Sequence, residues 1–302
     1  MEGEEPSVKK PLGCIAGSVL LGLWAAAGMA ADEKAASRTE GKPLRVLLIG
    51  NSYSCAPLFD VVSGMAKAAG ERPLDYTWVG GGGWLLQWQW ETPAEYLKRP
   101  DFNGVNKSLK ALREGTWDIV VLQGYSDALQ DPPANFLKYG KLLAAEAQRK
   151  KARVILYQTW PTVWKEMDKP HPDVLAKLER AYAALAKETG GTVSPAGTAF
   201  EAVKTQKPEM GKSLHYMGID EHPHGNGVYL IACVHFATIY GRTPVGLPEK
   251  VMIPPMNGSP AQLFGTDKDT ALVLQKIAWE AVQRANPSLS PSGNRVAAPA
   301  PR

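Results

Sequence analysis

Five short apolar runs, each followed by a stretch with helical character, set the frame of this chain. They are Val46–Ile49, Leu74–Val79, Trp117–Leu122, Arg153–Gln158 and Thr192–Pro195. A continuous apolar run of strand length suits a strand buried on both faces, as in parallel sheets covered by helices. Leu58, Val61, Val62 and Met65 then recur at helical spacing. Further helical segments are expected over Val105–Arg113, from Pro132-Pro133 to Lys150, over Pro172–Thr189 and from Gly197 to Lys204. The alternation predicts a three-layer α/β/α sandwich, flavodoxin-like, with about five parallel strands.

Polar clusters close four of these strands: Asn51-Ser52, the glycine run Gly80–Gly83, Gln123–Asp127 and Gln158-Thr159. Open parallel sheets bind ligands outside the carboxyl ends of their strands. The glycine run lacks the Lys-Ser/Thr of a phosphate-binding loop, so its use is backbone freedom or close main-chain approach to a ligand. After the first strand Gly50 permits a sharp turn, Ser54 suits an N-cap and Pro57 a first helical turn. A serine lifted on such a strand-to-helix turn is exposed and faces backbone N–H groups, the setting a nucleophile needs. The same composition also suits an ordinary polar turn.

Composition sets the class. The chain has 302 residues, 44% of them hydrophobic and 21% charged, which is ordinary for a globular protein. The net charge of +4 is spread along the chain with no basic stripe, so nucleic acid is not an expected partner. Lys9 and Lys10 precede an apolar run from Leu12 to Ala27, with small residues up to Ala30. That reads as an export signal over residues 1–30, giving a periplasmic or extracellular protein with no stable membrane association after cleavage; an uncleaved anchor is the alternative. Cys14, after Leu12-Gly13, precedes the core of that run rather than following it, which does not suit a lipoprotein site. Residues 31–42 read as a linker, 43–286 as one domain and 287–302, rich in Pro, Ser and Ala, as a disordered tail. Cys55 and Cys233 suit either a disulfide or two buried thiols.

The later chain holds a polar loop, Asp220-Glu221-His222-Pro223-His224, before an amphipathic helix expected over Gly227–Tyr240. Gly241–Pro260 is expected to wrap the surface, and Ala271–Arg284 to form the last helix. A serine hydrolase needs a nucleophile, a base, an acid that orients the base, and oxyanion donors. Ser52, His222 and Asp220 or Glu221 supply the first three. Ser52 N–H, a glycine N–H from the run (Gly82 is chosen) and Gln123 or Ser126 supply the last.

Together these blocks resemble the SGNH, or GDSL-like, hydrolases across Arg45 to Gly246. The family's Gly-Asp-Ser is matched by Gly50-Asn51-Ser52, its second-block glycine by Gly80–Gly83, its Gly-x-Asn-Asp by Gly124-Tyr125-Ser126-Asp127, and its Asp-x-x-His by the His222 loop at a different spacing. The stretch Gln123-Gly124-x-Ser126 is similar to the Gln-Gly-Glu-Ser of its carbohydrate O-acetylesterase branch. The resemblance implies an esterase that removes short acyl groups such as acetyl from a small-molecule or glycan ester, with no cofactor. Asn51 replaces Asp, Ser126 replaces the amide donor, and Ile219 stands where the orienting Asp is expected, so Asp220 takes that part. The alternative register pairs Glu221 with His224.

Two rivals stand beside this reading. Asp220, Glu221, His222 and His224 also have the composition of a metal site, which would make a metal-dependent hydrolase. The departures from the family pattern also suit an SGNH-fold binding protein with weak or no catalysis. Trp84, Trp88, Trp160 and Trp164 fall beyond strand ends and suit either sugar stacking or loop packing. Asp127 and Gln158 read as structural polar groups.

Overall fold

The computed structural model describes residues 41–289, apart from 55–56, 92, 94, 96–97, 99–106, 217–219 and 256–258. The expected leader, Cys14, most of the linker, Cys55, Ile219 and the tail beyond 289 lie outside the described residues.

The sheet is parallel throughout, in the order β2-β1-β3-β4-β5. Its strands are β1 (Leu44–Gly50), β2 (Leu74–Gly80), β3 (Ile119–Gln123), β4 (Arg153–Gln158) and β5 (Thr192–Pro195). The apolar runs of β1, β3 and β4 are continuous because both faces are covered, whereas the edge strand β2 buries only Leu74. Val46 and Leu48 of β1 enter one core, and Leu47 and Ile49 the other. The same alternation sends Ile119 and Val121 of β3 one way, and Val120 and Leu122 the other.

One face carries α1 (Leu58–Ala68), α6 (Ala196–Gln206), α8 (Asn226–Tyr240) and α9 (Lys268–Ala285). The other carries α2 (Leu86–Trp90), α3 (Lys107–Glu114), α4 (Ala134–Arg149) and α5 (Pro172–Thr189). A short helix, α7 (Pro208–Gly211), follows α6. The three-layer flavodoxin-like expectation holds. Among the described residues no helix is long and apolar enough to cross a membrane.

Several local expectations change. Helix α8 is not amphipathic: Gly227 through Ile239 are all buried, because α1, α6 and α9 pack around it. Cys233 within it is a free, buried thiol whose pKa burial drives far up. Gly241–Pro260 does more than wrap the surface: Lys250–Ile253 (β6) pairs antiparallel with Gln262–Gly265 (β7). This hairpin lies on α1 at Gly64, where an added Cβ would sit 2.8 Å from the Val251 Cβ. Pro287–Leu289 forms a 3-10 turn rather than the start of a structureless tail.

The chain enters the sheet at β1, goes outward to β2, then crosses back to β3 on the other side. The reversal lies between β1 and β3, and a crevice is expected beyond their carboxyl ends. Ser52 follows β1 and Ser126 follows β3.

Candidate active site

The site begins where β1 and β2 end side by side. Gly50 pairs with Gly80, and an added Cβ at Gly80 would lie 1.9 Å from the Gly50 carbonyl oxygen. At Gly50 it would lie 2.5 Å from Gln123 Oε1 and from Ser54 Oγ. Only glycine fits either position. The chain then turns through a 3-10 turn, Ser52–Ser54.

The groups behind that turn are held by buried hydrogen bonds. The Asn51 N–H donates to Gln123 Oε1 at 2.8 Å. The Asn51 side chain accepts from the Tyr53 N–H at 3.1 Å and donates to the Trp84 carbonyl at 3.3 Å. The Ser54 hydroxyl faces the Asn51 carbonyl at 2.9 Å and Gln123 Oε1 at 3.1 Å, and accepts from Trp78 Nε1 at 3.2 Å. Ser54 is therefore not an N-cap. Helix α1 starts after Pro57 without a side-chain cap, because the Ser54 hydroxyl is already engaged in the turn. Gln89, buried on α2, donates to the Gly50 carbonyl at 2.7 Å. Sequence reasoning missed it, and a polar residue among apolar and aromatic neighbours was its only signal.

Ser52 itself stays half-buried and accessible. Its Oγ lies 2.8 Å from His222 Nε2. His222 Nδ1 lies 2.7 Å from Asp220 Oδ1, and the same oxygen accepts the His222 backbone N–H at 2.7 Å. That backbone bond is the leading cause holding the Asp220 carboxyl below its ordinary pKa. An ionised carboxylate only accepts, so Nδ1 carries the proton and Nε2 is left to accept the Ser52 O–H. Aspartate readily bonds the backbone two residues on, which is how an acid two positions before the histidine can orient it. Glu221 Oε1 is 3.9 Å from Nδ1. His224 is exposed, its ring edge-on to Tyr216 at 5.1 Å, so the Glu221–His224 register does not form this arrangement.

The remaining expected residues divide. Gln123 is fully buried, and its Nε2 donates to the Gly124 carbonyl at 2.5 Å. Its amide faces the fold and is not an oxyanion donor here. The Gly124 N–H donates to the Tyr182 hydroxyl at 3.1 Å and is also used internally. Ser126 is exposed on the 3-10 turn Ser126–Leu129. Gly82 is exposed, with nothing within 4 Å of an added Cβ. Among the described residues the N–H groups of Ser52 and Gly82 have no acceptor. Asp127 is buried, which raises its pKa to about 6, and Gln158 accepts from the Thr198 hydroxyl at 3.2 Å.

Beside the turn lies a cavity of about 130 Å³, reached by Tyr53, Tyr125, Ser126, Thr162, Trp164 and Leu178, among others. Tyr53 joins it to the histidine: its ring meets the His222 ring edge-on at 5.4 Å, and its hydroxyl is 3.2 Å from Thr162 Oγ1. Trp164 is 61% exposed, while Trp160 is buried. Of the loop tryptophans, then, Trp160 packs and Trp164 is free to touch a ligand.

Asp220, Glu221 and His222 bring their ligand-type atoms within 4.8 Å of one another. A divalent ion there would have to take a His222 ring nitrogen from Ser52 or from Asp220.

No protein-family model and no curated protein matches the chain. Solved structures do. One is an SGNH hydrolase candidate from Slackia heliotrinireducens, with 23% identity over 66% of this chain and 100% of its own, and a TM-score of 0.49. Another is a lipase/acylhydrolase from Enterococcus faecalis, with 17% identity over 66% and 96%, and a TM-score of 0.47. An acetylxylan esterase from Geobacillus stearothermophilus has 15% identity over 67% and 96%, and a TM-score of 0.46. Each of these likenesses is one of fold. The chain's four SGNH-like blocks follow β1, β2 and β3 and precede α8, and the first and last meet through the hydrogen bond between Ser52 and His222.

Proposed function

We propose that this chain is a serine ester hydrolase of the SGNH type. One observation carries the reading: a continuous relay from Ser52 through His222 to Asp220, with contacts of 2.8 and 2.7 Å. Ser52 Oγ attacks the ester carbonyl as His222 Nε2 takes its proton. The oxyanion is held by the N–H groups of Ser52 and Gly82, both without acceptors among the described residues. The intermediate collapses, the alcohol leaves with the proton from His222, and an acyl-Ser52 ester remains. Water, deprotonated by His222, then attacks that ester and releases the acid, and the proton returns to Ser52. Asp220 keeps the imidazole in the required tautomer and stabilises its charged form.

The substrate we propose is a short acyl ester, such as acetyl, on a carbohydrate. A cavity of about 130 Å³ suits a short acyl chain, and the exposed Trp164 ring at its rim suits a sugar face. We propose export as well, on the strength of Lys9-Lys10 and the apolar run Leu12–Ala27.

The test is hydrolysis of p-nitrophenyl acetate with and without chelator, together with organophosphonate labelling. Labelling at Ser52 and indifference to chelator support the reading. Loss of activity in chelator, with Ser52 unlabelled, would favour the metal-dependent alternative built on Asp220, Glu221 and His222. A chain inert to both, on p-nitrophenyl acetate and on acetylated glycans, would favour the binding protein.

A further inference from the structure

Trp160 lies just beyond β4 and stands between the two halves of the relay. Its indole packs on the Tyr53 ring, with centroids 4.9 Å apart, and Tyr53 follows Ser52 in the chain. Its Nε1 donates to the carbonyl of Glu221 at 2.9 Å, and Glu221 lies between Asp220 and His222. One buried side chain thus touches the residue after the serine and the residue between the acid and the base. Phe200 also stacks on the indole, at 4.6 Å and 14°, and His215 meets it edge-on at 5.7 Å.

The loop needs such an anchor. Asp220 and His222 side chains are 44% and 39% exposed. Among the described residues the loop's other main-chain hydrogen bonds are local: the Tyr216 N–H to the His222 carbonyl, the Asp220 N–H to the Tyr216 carbonyl, the His224 N–H to the Leu214 carbonyl, and the Gly227 N–H at the start of α8 to the His224 carbonyl. Those bonds shape the loop but do not tie it to the sheet. The indole N–H does, at the peptide between the two working residues. Small displacements of a catalytic group have large kinetic effects: about 1 Å can cost a hundredfold in rate.

We propose that Trp160 is a positioning residue, whose indole N–H sets where the Asp220–His222 pair meets Ser52. This rests on the serine-hydrolase reading. Trp160→Phe keeps an aromatic ring against Tyr53 and Phe200 and removes the donor. Phe200→Leu does the reverse, loosening the stack and keeping the N–H.

The experiment measures kcat and KM for p-nitrophenyl acetate, thermal stability, and the downfield imidazole N–H resonance of His222 in the full chain. Trp160→Phe is expected to lower kcat between about tenfold and a hundredfold with KM little changed, and to broaden or shift the His222 resonance. Phe200→Leu is expected to lower Tm while kcat stays within about twofold and the resonance is kept. Wild-type kcat in Trp160→Phe overturns the proposal, as do equal kcat losses in both variants, which would make Trp160 a packing residue only. If Ser52→Ala retains full activity, it is the serine-hydrolase reading that fails, and that outcome is distinct from either of these.

Discussion

His222 Nε2 lies 2.8 Å from the hydroxyl of Ser52, 170 positions earlier in the chain. The pairing joins the first strand end of the sheet to the loop before α8. Ser52→Ala and His222→Ala are each expected to lower kcat by about a millionfold, since members of such a relay act as a unit. Asp220→Asn is expected to cost about ten-thousandfold by favouring the wrong tautomer. Glu221→Gln, whose carboxylate is 3.9 Å from Nδ1, is expected to change kcat by less than about threefold, because a partly exposed charge at that distance contributes little. Steady-state kinetics on p-nitrophenyl acetate checks all four. An equal loss in Glu221→Gln and Asp220→Asn would reassign the orienting acid.

Gln123 gives a test of a different kind. Its Oε1 accepts from the Asn51 N–H and faces the Ser54 hydroxyl, all in the interior. Gln123→Ala leaves the buried Asn51 N–H without its acceptor, while the Ser54 hydroxyl keeps the Asn51 carbonyl. Loss of about 1–3 kcal/mol of stability in urea denaturation is therefore expected, together with a fall in kcat as the turn under Ser52 loosens. An oxyanion donor would behave otherwise, lowering kcat at unchanged stability.

How much of this was legible in the sequence depended on whether the deciding contacts were local. The strands were legible because Val46 to Ile49 point alternately into two cores, which leaves an apolar run with no polar break. Helix α5 was legible at both ends, with Pro172 in its first turn and Gly190 at φ 66° closing it. The β6–β7 hairpin was not, because its short strands lie among prolines and expose Met252 and Leu263. Nor was the full burial of α8, which depends on α9 packing over it.

The site divides the same way. Ser52, Asp220 and His222 sit in local patterns that carry their chemistry with them. The direction of the Gln123 amide, the buried Gln89 and the Trp160 bond to the Glu221 carbonyl depend on what distant segments bring alongside. A residue type at a strand end does not encode that.

The cavity beside Tyr53 sets an expectation for acyl length. Leu178 of α5 is buried and forms part of its wall. The wild type is expected to favour acetyl to butyryl esters and to lose activity on longer chains, because each methylene that fails to fit is worth about tenfold or more. Leu178→Ala enlarges the cavity and is expected to raise kcat/KM for the hexanoyl ester about tenfold relative to acetyl, at about 2–5 kcal/mol of stability. A p-nitrophenyl ester series measured on both proteins decides this. An unchanged chain-length profile in Leu178→Ala would place the acyl group elsewhere.

The buried histidines make stability depend on acid. His235 of α8 is fully buried, its Nδ1 3.0 Å from the Ser194 hydroxyl, and burial lowers its pKa to about 3. His215 is lowered to about 3 as well, first by burial and then by nearby Lys204. The unfolded chain takes up these protons as pH falls through about 6.5, while the folded chain refuses them until about 3. The histidine contribution is therefore complete above about pH 6.5 and shrinks on acidification, by about 1.4 kcal/mol per pH unit for each residue. Asp127 opposes this more weakly. Its raised pKa of about 6 lets the folded form hold a proton that the unfolded form releases until about pH 4, so acidification below pH 6 restores stability there. The two histidines outweigh the one carboxyl, and a net loss is expected between pH 6.5 and 5. Urea denaturation of the wild type and His235→Phe at pH 7.5, 6 and 5 reads the difference. The variant is expected to lose about 1.4 kcal/mol less per pH unit below 6.5. Parallel curves would mean that His235 is protonated in the folded protein, at odds with an imidazole closed in by Phe59 and Tyr157 at ring distances of 5.0 and 4.5 Å.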